Sequence, residues 1–384
     1  MRFFYFYLYL IGFFLVVLVP FLRRKTEKKL FLFYCILLSL VTGLRSYTVG
    51  NDTPGYSFYF SEEYGWYVPL YGTIRQPYED MEWGFVFVTR LLHNISSSPT
   101  FLFLVTGFGL WMGVYLLYRK SNNPLLSVLT LITVNFYFFG LPLAAVRQTL
   151  SLAELIFAFY FFEKSFQKSK IIKEAKFDIH FLLGALLLIL SILTHRSTIF
   201  TVVILLLLLL VKFNRTRSTI LLTISLTISL LGQYFLKDWM LTVFSYVSLV
   251  DYKNIALLGE RYSDILNNTG IEFNTLKTIS WAIPCYATIY CLRESKFNDF
   301  GFKIYIVAVC LMMLLCFQTN GMRMAMQAAF LGFASAIPSI CKRDRYYYFL
   351  YVLFVGAYLV FDYRLFARWP TYIDHLIPYY FIWQ

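Results

Sequence analysis

Charge is scarce in this chain. Asp, Glu, Lys and Arg make up 14% of its 384 residues, against about 25% in an ordinary globular domain. Only 21 residues are acidic and only four are histidine. Six cysteines occur, at Cys35, Cys285, Cys291, Cys310, Cys316 and Cys341. None forms a Cys-x-x-Cys pair or a His/Cys cluster with zinc spacing, and they read as thiols filling helix faces. There is no phosphate-binding P-loop, no GxGxxG and no HExxH.

What takes the place of charge is apolar sequence. The hydrophobic fraction is 59%, aromatics account for 21%, and the mean hydropathy is +0.63. The excess comes in repeated runs close to the ~20 residues that cross a ~30 Å hydrocarbon layer as helix. A cytosolic enzyme, a secreted disulfide scaffold and a disordered chain are therefore excluded. The expected fold is an all-α polytopic membrane protein, a single integral membrane domain over 1–384, with no soluble domain and no internal repeat.

Twelve spans can be drawn, at 3–21, 30–44, 100–118, 124–141, 143–162, 179–194, 198–211, 218–235, 275–292, 303–319, 324–341 and 346–361. The first follows Arg2, is trailed by Arg23, Arg24 and Lys25, and lacks an A-x-A cleavage site, so it reads as a retained anchor. With the N-terminus outside, six short inner loops of about fifty residues together hold 21 of the 34 Lys and Arg residues. That asymmetry is what the positive-inside rule requires. The net charge of +13 is thus a topology signal rather than a nucleic-acid footprint. The C-terminus is then outside too, as are two long loops, 45–99 and 236–274. Within the first, residues 84–95 would reach only about 18 Å as helix. They are expected to form an interfacial or re-entrant piece. Trp66, Tyr67, Trp83, Trp239, Tyr252, Tyr262 and Trp369 crowd the outer segments, as an interfacial aromatic belt or as platforms for sugar rings.

Charged groups in spans are costly, about 2.5–3.5 kcal/mol at a helix centre, so those present need a reason. Arg147 lies about a turn inside the fifth span, with Gln148 beside it and Ser151 and Glu154 following on one face. That stripe either pairs Arg147 with Glu154 or lines an outward-open cavity. His195 and Arg196 interrupt the apolar run between the sixth and seventh spans. Arg323 sits near the outer end of the eleventh span, with Gln327 one turn deeper. Arg45 ends the second span, and Gly50-Asn51-Asp52-Thr53-Pro54-Gly55 forms a tight polar turn just beyond it. Glu82 closes the same loop. Arginine forks bind phosphate and pyrophosphate oxygens bidentately, and a carboxylate or imidazole nearby can deprotonate a hydroxyl. An anionic lipid-linked substrate arriving from the outer leaflet fits both. A carrier would more often place its charges near the midplane, where only Glu154 lies.

The order Arg45…Gly50-Asn51-Asp52…Tyr56, Glu82-Trp83-Gly84, Arg147-Gln148, His195-Arg196-Ser197 and Ile377-Pro378-Tyr379-Tyr380 resembles the EpsG family. These are bacterial membrane proteins grouped with the Wzy-type polymerases of O-antigen and exopolysaccharide synthesis. The resemblance implies a GT-C-like glycosyltransferase at the outer face of the bacterial inner membrane. It would move a growing glycan from undecaprenyl pyrophosphate to the non-reducing end of another lipid-linked unit. It implies no cofactor and no metal, with Asp52, His195 or Glu82 as catalytic base. Arg45, Arg147, Arg196 and Arg323, with Gln148 and Glu154, would hold the pyrophosphate or substrate. A chain-length regulator and a flippase are the protein partners such a polymerase implies, and nucleic acid is not one. The competing readings are a GT-C transferase adding one sugar from a polyprenyl monophosphate, a flippase or exporter of lipid-linked sugars, and a membrane acyltransferase.

Overall fold

Long runs of Leu, Ile and Phe leave backbone amides and carbonyls few partners except one another, and helix satisfies them locally. The computed structural model describes residues 4–50, 52–62, 66–68, 73–75, 81–121, 123–134, 142–143, 145–168, 178–232, 242, 275–291, 294, 297, 299–314, 325–332, 334 and 381. Within them the regular structure is helical apart from one short hairpin. Its strands β1 (Trp66–Val68) and β2 (Thr73–Arg75) pair antiparallel with Tyr67 opposite Ile74. The expected outer loop 236–274 but for residue 242, the last span 346–361, Arg323, Cys316, Cys341, and the motif 377–380 lie outside the described residues.

The chain divides into two units, residues 1–203 with 333–384, and residues 204–332. The first begins with α1 (Phe4–Leu18), α2 (Arg24–Gly43) and α3 (Thr53–Glu62). After the hairpin come α4 (Trp83–His93), α5 (Pro99–Tyr118), α6 (Pro124–Val134), α7 (Val146–Lys168), α8 (Ile179–Thr194) and the start of α9 (Ser197–Leu210). Helices α2 and α5 run antiparallel. Gly43 lies against Leu104 near the start of α5, and the Phe31 ring stacks on Tyr115, 5.2 Å away near its end. Helices α5 and α7 run parallel, with Gly109 facing Ala153, Gly113 facing Ile156, and Arg119 Nη2 donating to Tyr160 Oη at 2.9 Å. Helix α8 returns antiparallel to α7, with Ser151 level with Ser191 and Gly184 against Phe162. These directions gather the end of α2, the starts of α5 and α7 and the α8–α9 turn at one end of the unit. Helix α4 seats on that end through Gly84. A Cβ there would fall 2.6 Å from the Leu193 carbonyl carbon and 2.7 Å from the Thr194 nitrogen.

In the second unit α10 (Arg215–Gly232) packs on α11 (Thr275–Cys291) and α12 (Phe300–Leu314). Ser229 Oγ donates to the Met313 carbonyl at 2.8 Å. The buried Lys303 ammonium donates to carbonyls at the end of α9, at Leu208 in its last turn (3.3 Å) and at Val211 just past it. Gln327, in the helical stretch 325–332, is fully buried.

On α8 the polarity of the packing is inverted relative to a helix of a water-soluble protein. Helix α8 exposes Ile179, Leu182, Leu186, Ile189 and Leu193 along one face and buries Gly184, Ser191 and Thr194. Ser151, Thr198 and Thr201 are likewise fully buried. Small and hydroxyl residues inside with branched aliphatics outside is how helices pack when the surrounding solvent is hydrocarbon. Among the described residues, one helix, Pro99–Tyr118, is by length and composition apolar enough to cross a membrane, and Ile179–Thr194 and Ser197–Leu208 are shorter apolar helices.

Several boundaries differ from expectation. Helix α2 starts at Arg24, not at 30, so part of the first basic cluster lies in its opening turns. Glu27 there is buried and accepts from the Leu125 amide at the start of α6, an anchor that draws the helix start forward. The polar turn expected over 50–55 is shorter: Gly50 stands at φ +101°, but Thr53, Pro54 and Gly55 already open helix α3, which apolar periodicity did not reveal. Tyr56, Tyr59 and Phe60, at i, i+3 and i+4, form one buried face against α4 and α5, but Phe58 on the opposite, exposed side blurs that stripe in the sequence.

The tight crossing of α2 and α5 yields a direct test. A Cβ on Gly107 would sit 2.8 Å from Thr42 Cβ, and Thr42 Oγ1 accepts from Trp111 Nε1 at 3.0 Å. Gly107→Val is expected to cost roughly 1–3 kcal/mol through overpacking. Thermal unfolding in detergent should show a lowered Tm, and an unchanged Tm would contradict the close approach.

Candidate active site

The carboxylate of Glu82 is the point where that end of the first unit converges. Glu82 directly precedes α4 in an extended conformation and does not cap its own helix. Its side chain instead takes partners from two other elements. Glu82 Oε2 accepts from Arg147 Nη1 at 2.5 Å. Glu82 Oε1 lies 3.2 Å from His195 Nδ1 and accepts, at 3.4 Å, from the Arg196 backbone N–H. Arg147 is the second residue of α7, His195 follows α8, and Arg196 precedes α9. The N-termini of α4, α7 and α9 thus surround one anion, each contributing the positive end of its dipole.

Packing one turn deeper sets this geometry. Ser151 Oγ donates to the Ser191 carbonyl at 2.8 Å and lies 2.6 Å from Thr198 Oγ1, while Ser191 Oγ donates back to the Ser151 carbonyl at 2.8 Å. This reciprocal pair ties α7, α8 and α9 together directly beneath the His195–Arg196 turn. On the other side Arg147 Nε donates to Tyr56 Oη at 2.7 Å, and Tyr56 packs edge-on to Phe85 of α4, 5.6 Å between ring centres.

The electrostatics follow from these contacts. Burial by itself would raise the Glu82 carboxyl, but the hydrogen bond from His195 and the charge of Arg147 outweigh it and hold the group at about 2, below the ordinary 4.5. Glu82 is therefore ionised near neutral pH. An ionised carboxylate can only accept, so the His195 nitrogen facing it carries a proton, and in the neutral imidazole the lone pair is then on Nε2. Burial pushes the Tyr56 phenol up, against the opposing charge of Arg147, so Tyr56 is a neutral hydroxyl. The His195 and Arg147 side chains retain 22% and 27% of their exposure, against 10% for Glu82. Imidazole and guanidinium thus present a face outward while the carboxylate stands behind them.

The other expected site residues fall as follows. Asp52 is half-buried immediately before α3, its carbonyl accepting from the Tyr56 amide at 3.1 Å. Among the described residues no hydrogen bond or ion pair joins its side chain to Glu82, though its charge is felt at Tyr56. Arg45 is fully buried. Its guanidinium lies 4.2 Å over the Phe103 ring and bonds Thr53 Oγ1 (3.4 Å) and the Thr42 carbonyl. Thr53 Oγ1 in turn donates to the Leu143 carbonyl at 3.0 Å. Arg196 has an exposed side chain. Gln148 and Glu154 are buried, and Glu154 leans toward Thr194. Arg147 pairs with Glu82 rather than with Glu154, because α4 brings a closer carboxylate to its guanidinium. Among the described residues no three His, Cys, Asp or Glu side chains gather as a metal site. Sequence reasoning missed the Tyr56–Arg147 bond and the Ser151–Ser191–Thr198 lock. The signal for the latter was three hydroxyl residues on otherwise apolar helix faces.

Glu82 makes a stability prediction with a definite sign. A carboxyl held below its ordinary value stabilises the fold above about pH 4.5, and that contribution is lost as pH falls toward 2. It is on the order of 3 kcal/mol. Thermal melting in detergent between pH 7 and 3 should therefore fall more steeply for the wild type than for Glu82→Gln. Parallel curves would show that the carboxylate is not held in this way.

Compared with known proteins, the model of the EpsG family matches the chain over residues 28–381. No curated protein and no solved structure matches it.

Proposed function

The chain belongs to the EpsG family, a Wzy-type polymerase family, and from that premise we propose that it polymerises lipid-linked oligosaccharide units at the outer face of the bacterial inner membrane. Membership supports a membrane-associated protein of the polymerase type of glycosyltransferase. The finer reading is a donor glycan on undecaprenyl pyrophosphate transferred to the non-reducing end of a second lipid-linked unit. The twelve-span reading with both termini outside, drawn from the distribution of Lys and Arg, supports an outer-side position for the Glu82 group.

The observation that carries this reading is the Glu82–His195 pair flanked by two arginines. His195 Nε2 accepts the proton of the acceptor hydroxyl, and Glu82 holds the ring in the right tautomer and stabilises the imidazolium that forms. The hydroxyl oxygen attacks the anomeric carbon, and the bond from that carbon to the pyrophosphate oxygen breaks with its electron pair leaving on the pyrophosphate. Arg196, exposed and unengaged by Glu82 through its side chain, meets that charge. Arg147 is fixed by Tyr56 and Glu82 through Nε and Nη1, so its remaining Nη2 donors are pre-aimed at the same anion. Donors held in place before reaction stabilise a leaving group most effectively.

Asp52 was the first candidate for the base. What favours His195 is a carboxylate in contact with it and a nitrogen left free. Asp52, beside Tyr56, is assigned to the acceptor sugar's hydroxyls. Arg45 is assigned to bracing the loop between α2 and α3. No metal is required in this scheme. Arg323 retains its proposed role toward pyrophosphate.

Purified protein in nanodiscs, supplied with undecaprenyl-pyrophosphate-linked repeat units, is expected to give a ladder growing by whole units with or without EDTA. His195→Ala should slow it by about 10²–10⁴-fold, and Arg147→Ala should abolish it while the protein remains in the membrane. Addition of one sugar from a polyprenyl-monophosphate donor, with no ladder, would replace the polymerase reading with a monosaccharide transferase.

A further inference from the structure

Helix α4 has two faces that the proposed chemistry does not use equally. One face, with Phe85, Val86 and Thr89, is buried against α3, α5 and α7. The other exposes Trp83, Phe87 and Leu91 at successive four-residue steps, with Trp83 74% exposed. The Trp83 and Phe87 rings lie nearly parallel, 10° apart with centres separated by 6.2 Å, and form one flat apolar wall. Ile95, just past the helix, is also exposed. The wall therefore extends along a helix of about 16 Å. Arg90 lies on the same side, its stem able to lie along the wall with its charge at the rim.

This wall begins where the anion site ends. Trp83 follows Glu82 in the chain, and Glu82 is held by Arg147, His195 and the Arg196 amide. A cluster carrying the Arg147 and Arg196 cations, next in the chain to an exposed aliphatic and aromatic face, is complementary to an amphiphile with an anionic head and a hydrocarbon tail. A sugar ring is a poorer match, because between Trp83 and Arg90 this side of the helix presents only Phe87 and no hydrogen-bonding side chain. We propose that the Trp83–Phe87–Leu91 face of α4 is the binding track for the polyisoprenoid tail of the lipid pyrophosphate whose head occupies the Glu82–Arg147–His195 pocket. The proposal rests on the polymerase reading for the identity of the head group, and it assigns α4 a ligand of its own.

The test uses the full chain in nanodiscs and a sugar-free polyprenyl pyrophosphate carrying a diazirine in its first isoprene units. Irradiation followed by peptide mapping is expected to place crosslinks within 83–95. Excess undecaprenyl pyrophosphate should remove them, and phosphatidylglycerol at the same concentration should not. The triple variant Trp83→Ser, Phe87→Ser, Leu91→Ser should lower probe binding at least tenfold, with Tm in detergent confirming that these exposed positions leave the fold intact. Equal displacement by phosphatidylglycerol would overturn the proposal and make the face an ordinary bilayer contact. Unchanged probe binding in the variant with a raised KM for the glycan acceptor would overturn it in favour of a sugar platform. Competed crosslinks on α4 in a protein that makes no ladder would uphold the track while removing the polymerase reading, so the two failures are distinguishable.

Discussion

A buried carboxylate cannot stand alone in a low-dielectric interior, and the partners Glu82 collects organise this end of the protein. Removing the charge from water costs several kcal/mol unless hydrogen bonds and opposite charges replace the lost hydration. Arg147, His195 and the Arg196 amide supply them. Each partner belongs to a different helix end, so satisfying one anion fixes where α4, α7 and the α8–α9 turn must meet. The same contacts select the His195 tautomer and the aim of Arg147. Structure and proposed chemistry thus depend on one interaction.

The hydroxyl lock below it addresses the complementary problem. Helices surrounded by hydrocarbon gain nothing by burying more Leu, so they are held by close approach of small residues and by hydrogen bonds between helices. Gly84 on the α8 backbone, Gly184 on Phe162 and the Ser151–Ser191–Thr198 triangle do this work in the first unit. The exposed aliphatic face of α8 is the counterpart of that arrangement. The close approach at Gly84 is also what carries Glu82 within reach of His195, so a packing residue with no polar atoms of its own governs the site.

Much of the helical architecture was legible because apolar length is a local property. The runs at 100–118, 179–194 and 198–211 appear as Pro99–Tyr118, Ile179–Thr194 and Ser197–Leu210. The cost of charge in apolar surroundings likewise marked Arg147, Glu82 and His195 from composition alone. Helix α3 was not legible because the exposed Phe58 blurs its buried Tyr56–Tyr59–Phe60 face, and the three-residue strands β1 and β2 are too short to show an alternation. The early start of α2 was hidden for a related reason, the Glu27–Leu125 contact being nonlocal.

Pairing was beyond the sequence altogether. Glu154 lies seven residues from Arg147 on the same helix and looked better placed than a carboxylate 65 positions away. The sequence by itself determined that the chain is apolar and helical, where its costly polar groups fall, and which family pattern they follow, because each of these depends on residue type and short-range spacing. Only the tertiary structure decided that Glu82 partners Arg147 and His195, that Arg45 is enclosed, and that Trp83 begins an exposed track. Those outcomes depend on helix directions and on two points of backbone contact, which no local stretch of residues encodes.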